Sequence, residues 1–288
     1  MKLVNNNISP LPFYDDIALQ NHRKGYAFGQ VFPLITYKNY IMPFQFIIDV
    51  PATDVSTLVL TLYDFNTGEG TDLTQEFADA GLVGKNVKGY SLIEYPALFP
   101  LPTVLQEGLY YIGITINGTY HYYSDVFCVK NSVDDCILLE WSNSYNLEMP
   151  NGVIDFEQFN FRCYLQTQIG RPEYNFEEEA TERLGYSFIE SQVSKKTYKF
   201  TFVAPEYLCD ALRIVRLCDG RRITQGKEVY MPLTFSIDPK WQEQGDLAAV
   251  EAEFDAATVV ANIGGYEPKY PTFDFNKDYN TDFSKVNE

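Results

Sequence analysis

The chain is short of the residue types on which most enzyme chemistry depends. Its 288 residues include only two histidines, His22 and His121, which lie far apart in the sequence. An imidazole base, a Ser/His or Cys/His pair or a histidine-bound metal would have to use one of these two. The chain also contains no Gly-x-Ser-x-Gly elbow and none of the glycine-rich loops that hold phosphates. We therefore expect no enzymatic activity, no catalytic residues, no cofactor and no metal.

Positive charge and long apolar runs are also scarce. The chain carries 22 Lys and Arg against 39 Asp and Glu, a net charge of −17. Nucleic acids and anionic membranes attract basic surfaces, so nucleic acid is not expected as a main partner. No apolar run approaches the roughly 18 residues of a membrane helix, so no membrane insertion is expected. Residues Met1–Asn7 contain no apolar signal core, which predicts synthesis in the cytoplasm.

Cysteine is present, but in a pattern that favours neither disulfides nor zinc. The five cysteines are an odd number, and none of them forms a Cys-x-x-Cys pair. A disulfide framework would use an even set in an oxidising compartment, and a zinc site would use closely spaced Cys and His residues. We expect free, buried or half-buried thiols.

Aromatic residues are abundant, with 22 Tyr and 21 Phe. Aromatic and β-branched side chains suit pleated surfaces, so the composition predicts a mostly β protein. The clearest local signal is Leu109–Ile116, then Asn117-Gly118, then Thr119–Val129, because Asn-Gly favours the type I′ turn of a β-hairpin. One short helix is predicted after Pro205, since Pro suits the first helical position and Glu206 suits the positive end of the helix dipole.

Changes in composition predict four segments. The polar break at Asn131–Asp135 separates two sets of predicted strands, and the prolines and polar residues near the N-terminus predict loops. We expect two β-sandwich or barrel-like domains, one short helix and an extended C-terminal arm. The predicted segments are a loop-rich N-terminal segment (1–42), a β domain (43–130), a second β domain (136–262) and the arm (263–288).

The densest acidic stretch, Glu173–Glu182, has two interpretations. Carboxylates are the natural ligands of Ca²⁺, so the stretch could bind a hard cation. It lacks the Asp-x-Asp-x-Asp-Gly pattern of a calcium loop, and a solvated, mobile loop is the favoured interpretation. A carboxylate pair for glycoside hydrolysis would need a defined separation across a cleft, and the sequence selects no such pair among 39 acidic residues.

Three sets of residues are candidates for interfaces. Tyrosines around the predicted hairpin could stack on sugars or fill an interface pocket, and cross-strand packing is the simpler explanation. Basic residues concentrated between Lys195 and Arg222 could dock on an acidic surface of a neighbouring copy. Aromatics spaced along the C-terminal arm could anchor it on another subunit. The candidates are Tyr120, Tyr122 and Tyr123 in the hairpin (with Tyr110 and Tyr111 opposite), Arg221 and Arg222 in the basic segment, and Tyr266, Tyr270, Phe273 and Phe275 in the arm.

One stretch carries a family resemblance. Arg171-Pro172-Glu173-Tyr174, Arg183-Leu184-Gly185-Tyr186, Ser194–Phe200 and Ala204–Leu208 resemble uncharacterised structural proteins of tailed bacteriophages and prophages of gut Bacteroidetes, crAss-like phages among them. The resemblance covers mainly residues 136–262. It implies a virion protein of the tail, neck or fibre-attachment apparatus, made in the host cytoplasm, that associates with itself and with other virion proteins. The alternative is a carbohydrate-binding or carbohydrate-cleaving β-sandwich.

Overall fold

The computed structural model describes residues 3–5, 9–16, 19, 32–49, 55–149, 152–157, 159–183, 186–241 and 246–262. It is mostly β, with 57% strand and 9% helix, and it has several sheets consistent with a β-sandwich or barrel-like fold. This confirms the fold class predicted from the aromatic and β-branched residues. Residues 263–288, the predicted C-terminal arm with its four candidate aromatics, lie outside the described residues.

The strands are numbered in chain order. They are β1 (Leu3–Asn5), β2 (Phe13–Asp15), β3 (Leu34–Tyr37), β4 (Phe44–Ile48), β5 (Leu58–Asp64), β6 (Gly70–Asp72), β7 (Val83–Val87), β8 (Tyr90–Tyr95), β9 (Gly108–Ile116), β10 (Tyr120–Ser124), β11 (Phe127–Lys130), β12 (Ile137–Ser142), β13 (Leu147–Met149), β14 (Gly152–Ile154), β15 (Phe161–Leu165), β16 (Glu173–Arg183), β17 (Tyr186–Pro205), β18 (Gly220–Gln225), β19 (Glu228–Tyr230), β20 (Thr234–Trp241) and β21 (Leu247–Asn262). The helices of the described residues are α1 (Thr74–Asp79) and α2 (Glu206–Arg213), and a 3₁₀ turn (Ile214–Leu217) follows α2.

By contact density the chain divides into two compact units. The larger unit, which we call the body, contains residues 1–173 and 197–257. The smaller unit contains Tyr174–Lys196 together with residues 258–288.

One long sheet runs through the body. In the described part of the chain it has eleven strands, nine of them in the order β19-β18-β12-β15-β3-β11-β9-β10-β2, with β5 paired to β9 and β6 paired to β5. The predicted hairpin is confirmed as β9 and β10. Asn117 and Gly118 have φ angles of 54° and 66°, and Thr119 N donates to Ile116 O at 3.1 Å, as a type I′ turn requires.

Each end of the long sheet has its own covering layer. The sheet β1-β4-β8-β7 packs on the β2 end, where the ring of Phe13 lies 4.6 Å from the rings of both Phe44 and Phe46. At the other end, Tyr230 of β19 contacts Tyr198 of β17 at 5.0 Å and Phe254 of β21 at 5.6 Å. The body therefore contains two sandwich-like layers of core that share one long sheet.

Strand β3 joins the two halves of the long sheet, because it lies between β15 and β11. This strand pairs in parallel with β11 over four residue pairs, but it pairs with β15 only at Tyr164 and Ile35. Strands from both sides of the predicted boundary at 131–135 therefore belong to one sheet and one compact unit. Independent folding of residues 43–130 and 136–262 stays a prediction, which limited proteolysis tests.

The described residues of the N-terminal segment include three short strands. Within residues 1–42, the strands β1, β2 and β3 join sheets of the body, although this segment was expected to be loop-rich. The strands have only three or four residues each, which is too short for an alternating pattern to show in the sequence.

The predicted helix is confirmed as α2, with Pro205 as the residue before its first turn. Ile214–Leu217 continues α2 as a 3₁₀ turn. Helix α1 was not predicted, because six residues are too few to show a helical period. Strand β19 ends at Tyr230 and β20 begins at Thr234, on either side of Pro232, which has no backbone N–H to donate.

Candidate functional site

The acidic stretch Glu173–Glu182 lies in a strand rather than in the predicted mobile loop. It occupies β16, which pairs with β17. A loop was predicted because the charges are clustered and apolar residues do not alternate with them. In the structure, β17 provides hydrogen-bond partners for the backbone of β16, while the carboxylates stay exposed to water. Side-chain contacts cross from β16 to β17: Glu177 with Lys195 (2.6 Å), Glu178 with Gln192 (2.9 Å) and Glu179 with Ser191 (3.0 Å). Lys196 Nζ also lies 5.9 Å from the centroid of the Tyr174 ring.

The segment Tyr174–Lys196, which we call the acidic hairpin, is the leading candidate for a binding element. Every side chain from Glu173 to Ala180 is exposed. Tyr174 and Phe176 are exposed by 62% and 72%, although large aromatics normally supply core. Strand β16 is at the edge of the sheet order β16-β17-β21-β20. An exposed edge strand is a template for pairing with another chain.

The carboxylates do not assemble into a metal site. Over the residues that the structure describes, no group of three or more His, Cys, Asp or Glu side chains could hold a metal ion. In the acidic hairpin, the carboxylates of Glu177, Glu178 and Glu179 each have a side-chain partner on β17. Hard-cation binding by residues 173–182 is therefore not supported by a ligand cluster.

The hairpin tyrosines point to both faces of the long sheet. Tyr122 is a core residue with 1% exposure, and its ring lies 5.5 Å from that of Phe46. Burial raises the pKa of Tyr122 to about 12. Successive side chains on a strand alternate between its two faces, so Tyr120 and Tyr122 lie on the same face of β10. Tyr122 is buried, whereas Tyr120, next to the turn, is exposed. Tyr122 therefore does not belong to a surface patch.

The opposite face of the sheet carries a row of three rings, Tyr63, Tyr111 and Tyr123, which we call the tyrosine face. Tyr63 and Tyr111 stack at 4.9 Å, and Tyr111 meets Tyr123 edge-on at 6.3 Å. A Cβ at Gly113 would lie 2.8 Å from Tyr63 Cε2, so glycine lets this ring lie against β9. Tyr63 was not a sequence candidate, because only strand pairing brings it opposite Tyr111. Cross-strand packing, the simpler explanation, accounts for these contacts.

The basic residues of this segment have different surroundings. Arg221 binds its own chain, donating from Nε to Cys218 O and from Nη1 to Leu233 O, both at 2.6 Å. Arg222 lies 3.7 Å from the carboxylate of Glu140 across the neighbouring strand. Lys195 is engaged with Glu177 inside the acidic hairpin. Of the two arginine candidates, Arg222 keeps half of its side chain exposed and Arg221 anchors a local turn.

The body also contains a buried charge cluster that the sequence did not indicate. Lys85 Nζ lies 2.5 Å from Glu94 and 3.2 Å from Asp155, and both carboxylates are almost completely buried. Gln45 donates to the backbone carbonyl of Asp155 at 2.6 Å. Burial raises the pKa of Glu94 more than Lys85 lowers it. Residues up to 110 positions apart meet here, so no local pattern could have predicted the cluster.

A buried carboxylate with a raised pKa, such as Glu94, is also a pattern of acid–base sites. In this cluster, however, one lysine bridges both carboxylates and Gln45 holds the backbone of Asp155. The arrangement ties β4, β7 and β8 to the segment after β14. We therefore interpret the cluster as a structural clamp between sequence-distant parts of the body.

A half-open pocket of about 550 Å³ lies at the meeting of β3 and β15. It is mainly apolar, and Lys130 is the one charged residue among those that line it. Pockets of this size and character are the usual form of binding sites in proteins. The lining also includes Phe202 and Val203 of β17, Leu208 of α2 and Ala249 of β21.

The thiols and the described histidine have ordinary structural surroundings. All five cysteines are free, as predicted, and four of them are buried. Burial raises the pKa of Cys136, Cys163 and Cys218 to about 12, which keeps these thiols protonated and unreactive at neutral pH. His121 is exposed, with Nδ1 3.0 Å from Thr115 Oγ1. His22 lies outside the described residues.

Comparison with known proteins does not assign the chain to a family. No family of proteins, no curated protein and no solved structure matches it. Within the described ranges, no helix has the length and hydrophobicity of a membrane span.

Proposed function

We propose that the protein is a structural component of a tailed-phage virion, which docks on neighbouring proteins through the acidic hairpin. The observation that carries this proposal is the exposure of Tyr174 and Phe176 on an edge strand within a separate compact unit. The stretch that resembles phage structural proteins, Arg171–Leu208, includes the whole acidic hairpin. The proposal thus assigns a use to a segment that contributes no buried side chain between Glu173 and Ala180.

The physical argument concerns what an exposed aromatic edge strand does. Such a strand invites pairing with other chains, and proteins restrain it with charged side chains. Here the glutamates around Phe176 supply that charge, so unselective pairing is opposed while a complementary partner can still bind. Burial of Tyr174 and Phe176 in such a partner would contribute the apolar contact area that the chain itself does not use.

The decisive experiment is mass spectrometry of purified virions from the source of the sequence. We expect the chain to be present in a fixed copy number relative to other virion proteins. Its absence from intact particles would overturn the proposal.

A variant experiment assigns the docking to the acidic hairpin. Tyr174→Ser with Phe176→Ser should reduce incorporation of the chain into particles, because both exposed aromatics are removed. The matched control is Phe99→Ser, which removes an aromatic that is 64% exposed elsewhere in the chain. Equal incorporation of both variants would show that the acidic hairpin is not the docking element.

Carbohydrate binding is the second candidate, and the tyrosine face favours it. Tyr63, Tyr111 and Tyr123 are half-buried rings in a row, each with an apolar face and a hydroxyl. Glycan binding by the isolated chain, measured on a glycan array and lost in Tyr63→Ala, would support this function. No binding, or binding unchanged in Tyr63→Ala, would contradict it.

A further inference from the structure

Two features of the described residues leave apolar surface open to solvent, although Lys196 Nζ lies 5.9 Å from the centroid of the Tyr174 ring. One is the apolar pocket of the body, with a volume of about 550 Å³. The other is the pair of exposed aromatics on β16. Pockets of roughly 300–1,000 Å³ with apolar walls and few polar groups bind ligands of corresponding shape. A hydrophobic anchor that fills such a pocket is the typical centre of a protein interface.

The spacing of the aromatics suits joint insertion. Tyr174 and Phe176 are two residues apart in a strand, so they point to the same face, roughly 6.6 Å apart along it. Both are more than 60% exposed. The two rings therefore form one short apolar ridge on the acidic hairpin.

The surroundings of the pocket match the surroundings of this ridge. Lys130 supplies the one positive charge among the lining residues, while Glu177, Glu178 and Glu179 follow the aromatic pair in sequence. Lys130 contacts Asp135 at 3.3 Å in a partly exposed pair, which a glutamate from another chain can share or replace. The apolar walls include Leu165, Phe202 and Leu208, so phenyl rings find carbon neighbours there.

We propose that Tyr174 and Phe176 of one copy insert into this pocket of a second copy. The inference rests on the proposed docking function of the acidic hairpin and names one of its partners. The contact is heterologous, because the hairpin of one copy meets a different surface of the other. Two copies that exchange hairpins close into a dimer, and copies that do not close form a ring or a chain.

The size of the contact predicts its strength. Two aromatic side chains bury about 300–500 Å² at one docking, which is less than the roughly 1,200 Å² of a stable interface. A reciprocal pair of dockings comes closer to that area. We therefore expect association that depends on protein concentration in solution and becomes stronger when many copies are held together in one assembly.

The test uses sedimentation of the full chain over a range of concentrations, with two interface variants. The hairpin variant is Tyr174→Ser with Phe176→Ser. The pocket variant is Val203→Glu, which places a carboxylate at a lining position that is 51% exposed. Phe99→Ser is the control. Each interface variant alone should raise the dissociation constant about tenfold or more, whereas the control should leave it unchanged.

A mixture of the two variants is the decisive measurement. The pocket variant still has the aromatic pair, and the hairpin variant still has an open pocket, so one docking can form between them. We expect a 1:1 complex in the mixture at a concentration where each variant alone is monomeric. Melting temperatures close to that of the wild type would show that both variants are folded.

Three results would overturn the inference: a wild-type chain that stays monomeric, a control that weakens association as much as the interface variants, or a mixture that does not associate. The outcome is separable from that of the virion proposal. Presence of the chain in virions together with a monomeric chain in solution overturns the hairpin-to-pocket docking alone. Absence from virions together with association in the mixture overturns the virion assignment alone.

Discussion

The body and the acidic hairpin are both made of β-strands, but their aromatics have opposite surroundings. In the body, Phe13, Phe46 and Phe254 are completely buried. In the acidic hairpin, Tyr174 and Phe176 are among the most exposed large side chains of the described residues. The same residue types therefore form a core in one region and a surface in the other. Composition predicts β structure in both, but it does not tell which aromatics stabilise the fold.

The difference also concerns how each region is held together. In the body, β12 and β15 alternate buried and half-buried residues, and β4 is buried along its whole length. From Glu173 to Glu182, β16 has no buried side chain, and contacts such as Glu177 with Lys195 and Glu178 with Gln192 hold its side chains. In the sheet order β16-β17-β21-β20, β16 is the edge strand and pairs with β17. Two paired strands are only marginally stable on their own, so a partner is expected to add to the stability of the hairpin.

The largest expected contrast is between two phenylalanines of the same sheet. Phe254→Ala should lower the free energy of unfolding by about 3–5 kcal/mol, because the ring packs against Tyr198 and Tyr230. Phe176→Ala should change it by less than about 0.5 kcal/mol, since the ring is mostly exposed. Denaturant unfolding at a low protein concentration measures both. Similar losses in the two variants would abolish the distinction between core and surface aromatics.

The next contrast is between two lysines of the β7–β8 hairpin. Lys85→Met should cost about 3 kcal/mol of stability, because it leaves the buried carboxylates of Glu94 and Asp155 without their cation. Lys88→Met is the control, since its pair with Glu148 is exposed, and it should cost less than about 1 kcal/mol. Urea unfolding of the two variants decides the point. Equal, small effects would show that the cluster does not clamp the body.

The same cluster predicts a pH effect of known sign. Burial raises the pKa of Glu94, and the charges of Asp155 and Glu157 add to this effect, while Lys85 opposes it. Protonation of Glu94 therefore stabilises the folded state below the ordinary glutamate pKa, and this contribution is lost as the pH rises through the raised pKa.

Glu94→Gln isolates that contribution. As the pH rises from the ordinary glutamate pKa through the raised pKa of Glu94, the wild type should lose stability relative to this variant. Above the raised pKa, the difference in stability between the two proteins should stay constant. Thermal unfolding of both proteins in a buffer series measures the difference. A difference that does not depend on pH would show that Glu94 titrates normally.

A small effect on stability is also expected from removing the acidic hairpin. Lys199 Nζ lies 2.9 Å from Glu173, so the strands are adjacent at the base, and a short Asn-Gly turn can join Glu173 to Thr197. The melting temperature should change by only a few degrees, because none of the described side chains in Tyr174–Glu182 and Ser191–Lys196 is buried. A large decrease would show that the acidic hairpin is part of the folding unit.

Limited proteolysis of the intact chain sharpens the comparison further. We expect cleavage in the acidic hairpin before cleavage at residues 131–135. The strands that precede and follow residues 131–135 both belong to the long sheet, which protects this segment. Asp135 is also held by Lys130 and by Gln166. Early cleavage at 131–135 that releases two folded pieces would instead establish two independent domains.

Local patterns in the sequence predicted several elements because their causes are local. The Asn117-Gly118 turn depends on two residues that tolerate positive φ. Helix α2 depends on Pro205 at its start and on an apolar face. Strands β12 and β15 show their alternation directly, with every second residue buried.

The features that matter for the candidate site have causes that are not local. Glu173–Glu182 became a strand because β17 lies beside it, and its charges gave no sign of that partner. Tyr122 and Tyr123 are neighbours in sequence, yet Tyr122 enters the core and Tyr123 joins the tyrosine face. The pocket is lined by residues of β3, β15, β17, α2 and β21, which only the tertiary structure brings together.

By itself, the sequence determined that the chain is acidic and mostly β, with free thiols and few groups for catalysis, because these properties follow from residue types and short periods. Only the tertiary structure decided which aromatics form the core, which carboxylates share Lys85 and where an apolar pocket opens. These features depend on contacts between strands that are tens of residues apart in the sequence. The residues of a single strand do not determine which other strand pairs with it or covers it.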